Sequence, residues 1–191
     1  MRKLNLENLS KKEQGYLVGL FLGDGYAYYH KKERHYAVEF FLHSIRDQDI
    51  QNRLLLLLKK INLVCTVFKD PRYYVNRIRT SSKLFYKYLN LFEQNIFLIK
   101  RLGKEFSLGF LSGIIDAEGS TTHGSILVAQ KDDALANFIK NTCMRLGVDC
   151  RIWRSPNPKS DYIWRLRIST RFKYLQHSSE KVRRRELSAF P

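Results

Sequence analysis

The chain repeats itself, and the repeated unit is an expensive one. Leu17-Val18-Gly19-Leu20-Phe21-Leu22-Gly23-Asp24-Gly25 aligns with Leu111-Ser112-Gly113-Ile114-Ile115-Asp116-Ala117-Glu118-Gly119 at an offset of 94 residues. Both copies are apolar, carry small residues four apart (Gly19 and Gly23; Gly113 and Ala117), and end on a carboxylate followed by glycine. An interior glycine costs a helix about 1 kcal/mol relative to alanine, and an acid in the last turn sits at the negative end of the helix dipole. Something must offset both costs. Small residues at i and i+4 share a face and let two helix backbones approach closely. Pairing the two helices brings Asp24 and Glu118 together, where carboxylates raise each other's pKa unless cations lie between them. Hard oxygen ligands of this kind suit Mg²⁺. Gly25 and Gly119 are expected as the C′ residues that let the chain turn out of each helix. Ordinary buried helices with exposed terminal acids would explain one copy, but not two in the same register. Asp116 lies about 200° around the helix from Glu118 and is expected to be a local hydrogen-bonding or surface residue.

The duplication continues downstream. Arg77-Ile78-Arg79-Thr80-Ser81-Ser82-Lys83 parallels Arg165-Leu166-Arg167-Ile168-Ser169-Thr170-Arg171, at an offset of 88. From Asp161 to Ser169 the pattern alternates, with Tyr162, Trp164, Leu166 and Ile168 on one face and Arg165, Arg167 and Ser169 on the other, as a half-buried strand does. The earlier copy places Arg77 and Arg79 opposite Tyr74 and Ile78, with Asn76 breaking the apolar face. Between acid and arginine strand, each half has further strand candidates (Tyr26 to Lys32, Tyr36 to His43 and Leu63 to Phe68; the Thr121 region, Ser125 to Gln130 and Val148 to Trp153). Asp47 to Lys60 and Asp132 to Leu146 are amphipathic stretches opened by acids, as a first helical turn prefers. The expected fold is α+β, two tandem αββαββα units, with a shorter hairpin in the second accounting for the drop in offset. Residues 1–100 form the first repeat with its linker, from Gln94 to Lys104, and 101–191 the second.

The charge fits such a body. At 191 residues the length permits one large domain or two fused halves, and the net charge of +16 will attract polyanions. Divided after Lys100, the surplus is +9 and +7, so it is no basic tail. Mixed with 12 Phe, 11 Tyr and 2 Trp, it suits an extended nucleic-acid-binding surface better than mere solubility. No apolar run approaches the ~18 residues of a membrane span, and the N-terminal MRKLNLENLS lacks the apolar core of a signal peptide. An intracellular protein, cytoplasmic or in an organellar matrix, is expected. Cys65, Cys143 and Cys150 form no CxxC pair, so they are expected as free thiols rather than a disulfide framework or zinc site.

The paired segments resemble the two signatures of the LAGLIDADG homing endonucleases in their single-chain, two-repeat form, and the likeness extends over essentially the whole chain. That resemblance implies a central helix pair with an antiparallel sheet on each side, together forming a saddle along the DNA major groove. It implies a monomer that makes a double-strand break with short 3′ overhangs at a long, imperfectly palindromic duplex target, in the service of intron homing. The cofactor it implies is Mg²⁺ or Mn²⁺. Carried over by residue, the metal-holding acids are Asp24 and Glu118, with the backbone carbonyls of Gly23 and Ala117 as associated ligands. Leu22 and Gly23 depart from the idealised first signature, and Glu118 stands where the second would have Asp, so unequal metal sites are expected. The resemblance places His43 and Gln130 at strand ends and Lys83 and Arg171 after the fourth strands as further catalytic-pocket residues. A positioned water and a cation beside the scissile phosphate are what hydrolysis needs. Each of these residues also has a plainer reading, as a strand-end or helix-start surface group.

Arg77, Arg79, Arg165 and Arg167 are candidates for guanine edges, where a bidentate contact discriminates by ~1–3 kcal/mol. Lys31, Lys32, Arg34, Lys159 and the run from Lys181 to Arg185 suit phosphates, which position without specifying. Two alternatives use no cleavage. One is a LAGLIDADG protein acting as an intron-RNA maturase or DNA-binding regulator; the other is a basic RNA-binding protein, for which no RRM or KH signature speaks. Retention of both acids favours the nuclease.

Overall fold

A computed structural model of the protein describes residues 4–70, 72–122, 125–157, 160–170, 175 and 179–183. The first repeat opens with helix α1 (Lys11–Asp24), started by a reciprocal cap: Ser10 Oγ accepts the Glu13 amide at 3.2 Å and the Glu13 carboxylate accepts the Ser10 amide at 2.8 Å. Strands β1 (Gly25–His30) and β2 (His35–His43), helix α2 (Gln48–Lys60), strands β3 (Cys65–Asp70) and β4 (Val75–Thr80) and helix α3 (Lys83–Gln94) follow. A short helix α4 (Leu98–Arg101) lies in the link to the second repeat. That repeat runs α5 (Lys104–Glu118), β5 (Gly119–Thr122), β6 (Ser125–Gln130), α6 (Asp133–Leu146), β7 (Cys150–Asn157) and β8 (Ser160–Ser169), with further helical residues at 175 and 180–183.

The two sheets have the same design. Each has four antiparallel strands, ordered β1-β2-β4-β3 in the first repeat and β5-β6-β8-β7 in the second. One face of each is apolar and buried: Val38, Phe40, Leu42 and Ile78 in the first, and Ile126, Val128, Leu166 and Ile168 in the second. Asn76 does not spoil this face. It is buried, and its amide donates to Gln51 Oε1 on α2 at 2.7 Å, while Gln51 Nε2 donates to the His43 carbonyl at 2.9 Å. All three cysteines are free. Among the described residues no helix is long and apolar enough to cross a membrane.

Helices α1 and α5 form the centre, and their glycines are what let them meet. A Cβ added to Gly19 would lie 2.1 Å from the Phe110 carbonyl oxygen, and one on Gly113 would lie 2.3 Å from that of Tyr16. Gly15 faces the Phe106 carbonyl and Gly109 that of Lys12 in the same way, at 2.1 and 1.9 Å. The contacts obey a twofold relation, because each glycine and its 94-residue counterpart do the same work on the opposite helix. Gly25 and Gly119 act differently from expectation. Both follow the helix in extended backbone, with φ −101° and −76°, rather than in the left-handed form of a C′ glycine. They are small because the chain turns tightly back on its helix: a Cβ would stand 2.4 Å from the Phe21 carbonyl oxygen and 2.3 Å from that of Ile115.

Candidate metal centre and nucleic-acid interface

Asp24 is the last residue of α1 and Glu118 the last of α5, so the packing that buries the helices also brings their terminal acids together. Even the Gly23 backbone is close: a Cβ there would be 2.3 Å from Ala117 Cβ and 3.3 Å from Glu118 Cγ. Burial, then the Glu118 charge, then Asp47, push the Asp24 carboxyl up to about 7, against the pull of Lys181. Glu118 is raised as well, by burial, and again Lys181 opposes the shift. Two half-buried carboxylates whose ionisation is opposed by burial form an all-oxygen donor set. That donor set fits a hard divalent cation held by Asp24 and Glu118.

The strand-end pair His43 and Gln130 share a role across the repeats. His43 Nδ1 accepts the amides of Ile45 and Arg46 at 3.2 and 3.1 Å, and Gln130 Oε1 accepts those of Lys131 and Asp132 at 2.7 and 3.0 Å. With its acceptor used on the following turn, each side chain has an N–H donor to offer, Nε2–H in His43 and the amide in Gln130. The His43 ring also stacks on Tyr74, with centroids 6.2 Å apart. Asp47, which acts on Asp24, accepts the His43 amide at 3.1 Å, tying this strand end to the acid.

Lys83 is not brought to the acids. It opens α3 with Nζ 5.7 Å from the Tyr36 ring centroid and lines a groove with Thr66, Phe68 and Arg79 toward the β3 edge. Tyr36 pairs with Tyr29, four residues along β1 from the Gly25 that follows Asp24, so Lys83 is displaced from the carboxylates along the strands. Its counterpart Arg171 lies outside the described residues, as does Lys159. Two further expectations are corrected. Asp116 is neither local nor on the surface: it is fully buried and bonded to Tyr16, Ser179, Glu180 and Lys181. Lys181 belongs to no free basic run, because its Nζ donates to the Ala117 carbonyl at 2.9 Å. Sequence reasoning missed it because its partners lie 64 and 65 residues away along the chain.

The faces of the sheets opposite the core carry the arginines. On the first, Arg77 and Arg79 alternate with buried Asn76, Ile78 and Thr80. The Arg79 guanidinium contacts His35 Nε2 at 2.7 Å and Glu39 at 3.6 Å, while Arg77 lies 4.7 Å over the Phe68 ring. Glu39, buried at 4% exposure on this arginine-rich face, is a brace that periodicity alone did not reveal. On the second, Arg165 pairs in register with Ala129 and Trp153, and Arg167 with Leu127 and Arg151; the Arg167 guanidinium lies 5.9 Å from the Trp153 ring. Lys31, Lys32 and Arg34 are exposed in the β1–β2 turn.

A LAGLIDADG-like domain matches residues 105–177. The homing endonuclease I-DmoI of Desulfurococcus mucosus is 27% identical over 180 residues, 90% of this chain and 89% of its own. A crystal structure of I-DmoI with DNA and Ca superimposes with a TM-score of 0.69 at 21% identity, covering 93% of this chain and 98% of that one. Both signature helices, both sheets and the link between them therefore have counterparts in one molecule. Residues 105–177 are LAGLIDADG-like, and the whole chain shares the two-repeat fold of I-DmoI. An uncharacterized protein of Methanocaldococcus jannaschii, MJ0398, is 29% identical over 143 residues, 73% of this chain, and the match spans about half of that relative's length. The N-terminal LAGLIDADG domain of DUF199/WhiA shares the fold, with a TM-score of 0.59 at 14% identity and 92% coverage of each chain.

Proposed function

We propose that this chain is a LAGLIDADG protein and a site-specific, divalent-metal-dependent DNA endonuclease of the homing type. It acts inside the cell as a monomer and cuts both strands of a long, imperfectly palindromic duplex to leave short 3′ overhangs. The observation that carries this reading is the pairing of Asp24 with Glu118 at the ends of two contacting helices, each flanked by a sheet with an arginine-bearing face. The relation to I-DmoI, whose structures include DNA complexes with Ca, Mn or Mg, supports it.

In this reading Asp24 and Glu118 hold the cation, assisted by the backbone oxygen of Gly23; the Ala117 carbonyl, the other backbone oxygen expected there, already accepts from Lys181 Nζ at 2.9 Å. When bound, Mg²⁺ or Mn²⁺ supplies an activated water and stabilises charge developing on the phosphate. The N–H donors of His43 and Gln130 serve one strand each, orienting water or a phosphate oxygen. Arg77, Arg79, Arg165 and Arg167 read base edges, and the braces on Arg79 fix the angle at which its planar fork meets a guanine. Lys31, Lys32 and Arg34 hold phosphates. A supercoiled plasmid carrying the locus in which the gene is inserted tests the reading. Linear product in the presence of Mg²⁺, with staggered ends of one polarity, is the expected result; tight binding without cleavage would leave a DNA- or RNA-binding LAGLIDADG protein instead.

A further inference from the structure

Asp116 has no equivalent in the first repeat, where Leu22 stands in its register. Fully buried, its carboxylate accepts four hydrogen bonds: from Tyr16 Oη at 2.9 Å, Ser179 Oγ at 2.6 Å, and the amides of Glu180 and Lys181 at 3.0 Å. Ser179 Oγ in turn accepts the Val182 amide at 3.3 Å. Together these groups satisfy the amides that open the helical turn at 180–183, as an N-cap would, although the carboxylate belongs to α5. A second tie reinforces the first. Arg53 of α2 reaches Glu180 at 3.5 Å and lays its guanidinium 3.7 Å over the ring of Tyr16, the residue that also donates to Asp116. The C-terminal turn is thereby fastened two residues from Glu118, and Lys181 extends to the Ala117 carbonyl at 2.9 Å, within the fields of both Asp24 and Glu118.

We propose that Lys181 is a positioning residue of the carboxylate centre, set in place by Asp116, whose ammonium compensates Asp24 and Glu118 and keeps the Ala117 carbonyl from an incoming cation. The inference rests on the metal-dependent reading above. Its consequence is that a divalent cation binds against a resident positive charge that is anchored at the helix end of the second repeat. The two halves of the centre are then unequal for a reason beyond the extra methylene of Glu118.

Titration of Mn²⁺ into the DNA-free protein at pH 8, followed by electron paramagnetic resonance of the free ion and by the Mn²⁺-induced rise in Tm, tests this. Removing the charge in Lys181→Met or Lys181→Gln should tighten Mn²⁺ binding about tenfold, as expected when a cation at close range is deleted from a partly buried site. The Mn²⁺-induced Tm rise should grow accordingly. Lys181→Arg should keep the wild-type affinity. Asp116→Asn should speed amide exchange at 180–183 and shift Mn²⁺ affinity in the same direction as Lys181→Met. Loss of local structure alone would weaken metal binding, so the direction separates the two causes. Wild-type or weaker affinity in a folded Lys181→Gln or Lys181→Met protein overturns the role of Lys181 and leaves the metal centre standing. Failure of every form, wild type included, to bind Mn²⁺ overturns both.

Discussion

Gly19→Ala places the two forces that shape α1 in opposition. By helix propensity alone the substitution stabilises, because alanine is about 1 kcal/mol more favourable than glycine in a helix interior. The packing requires the reverse. The new Cβ would lie 2.1 Å from the Phe110 carbonyl oxygen and 3.0 Å from the Ile114 amide nitrogen. Both are backbone atoms of α5 and cannot swing aside as a side chain would. Relief requires the helices to part by about 1 Å, which loosens the dispersion contacts along the whole interface. Overpacking of this kind costs about 1–3 kcal/mol and more where backbone must move. Net of propensity, a loss of about 2 kcal/mol is expected, which lowers Tm by about 4–8 °C in a chain of this length. Differential scanning calorimetry on the metal-free protein measures it. The separation also moves Asp24 away from Glu118, so the Mg²⁺-induced rise in Tm should shrink in the same variant. Gly113→Ala, its twofold counterpart, should behave alike, and the double variant should lose less than the two singles together, since helices already parted accommodate the second methyl. A Gly19→Ala protein as stable as wild type, or more so, would refute the close-contact account.

Three other outcomes follow from the site and its surroundings. Asp24 titrates near 7 in the fold and near 3.8 when unfolded, so between those values the unfolded chain has released a proton that the folded chain keeps. Metal-free stability should therefore fall as pH rises through that window, by up to about 4 kcal/mol from this group, and the Mg²⁺-induced rise in Tm should be larger at pH 8 than at pH 6; Asp24→Asn should flatten both trends in calorimetric scans. Gln51→Leu leaves the buried Asn76 amide without its partner and should cost about 1–3 kcal/mol in urea denaturation, with much of it recovered in Gln51→Leu/Asn76→Leu. Arg79→Ala should relax base preference at one position of the target by ~1–3 kcal/mol, read by competition binding on single-base variants.

The helix pair was legible because its sequence makes poor sense in isolation: glycines that weaken a helix and an acid at the wrong pole are explained only by a partner with the same pattern. The arginine strands were legible because alternation is a local property. What escaped depends on contacts far apart along the chain. Asp116 reads as an ordinary polar residue near a helix end until the segment at 179–181 closes over it. Lys83 follows an arginine strand in sequence, yet the register sets it over Tyr36, whose partner Tyr29 lies four residues along β1 from Gly25. Glu39 resembles any solvated acid on an exposed strand face, and only the crossing of β2 by β4 surrounds it with Arg77 and Arg79.

The proposed function assigns strand cleavage to the small acidic minority of a strongly basic chain, Asp24 and Glu118, and the hold on the duplex to the arginine-bearing sheets. Parallel measurement of binding and cleavage on one labelled target duplex, for wild type, Asp24→Asn, Glu118→Gln and the double variant in Mg²⁺, tests it directly. The double variant is expected to bind the duplex within a few-fold of wild-type affinity and to leave both strands intact, and neither single variant is expected to make double-strand breaks. Double-strand cleavage by the double variant at the wild-type rate would contradict this assignment.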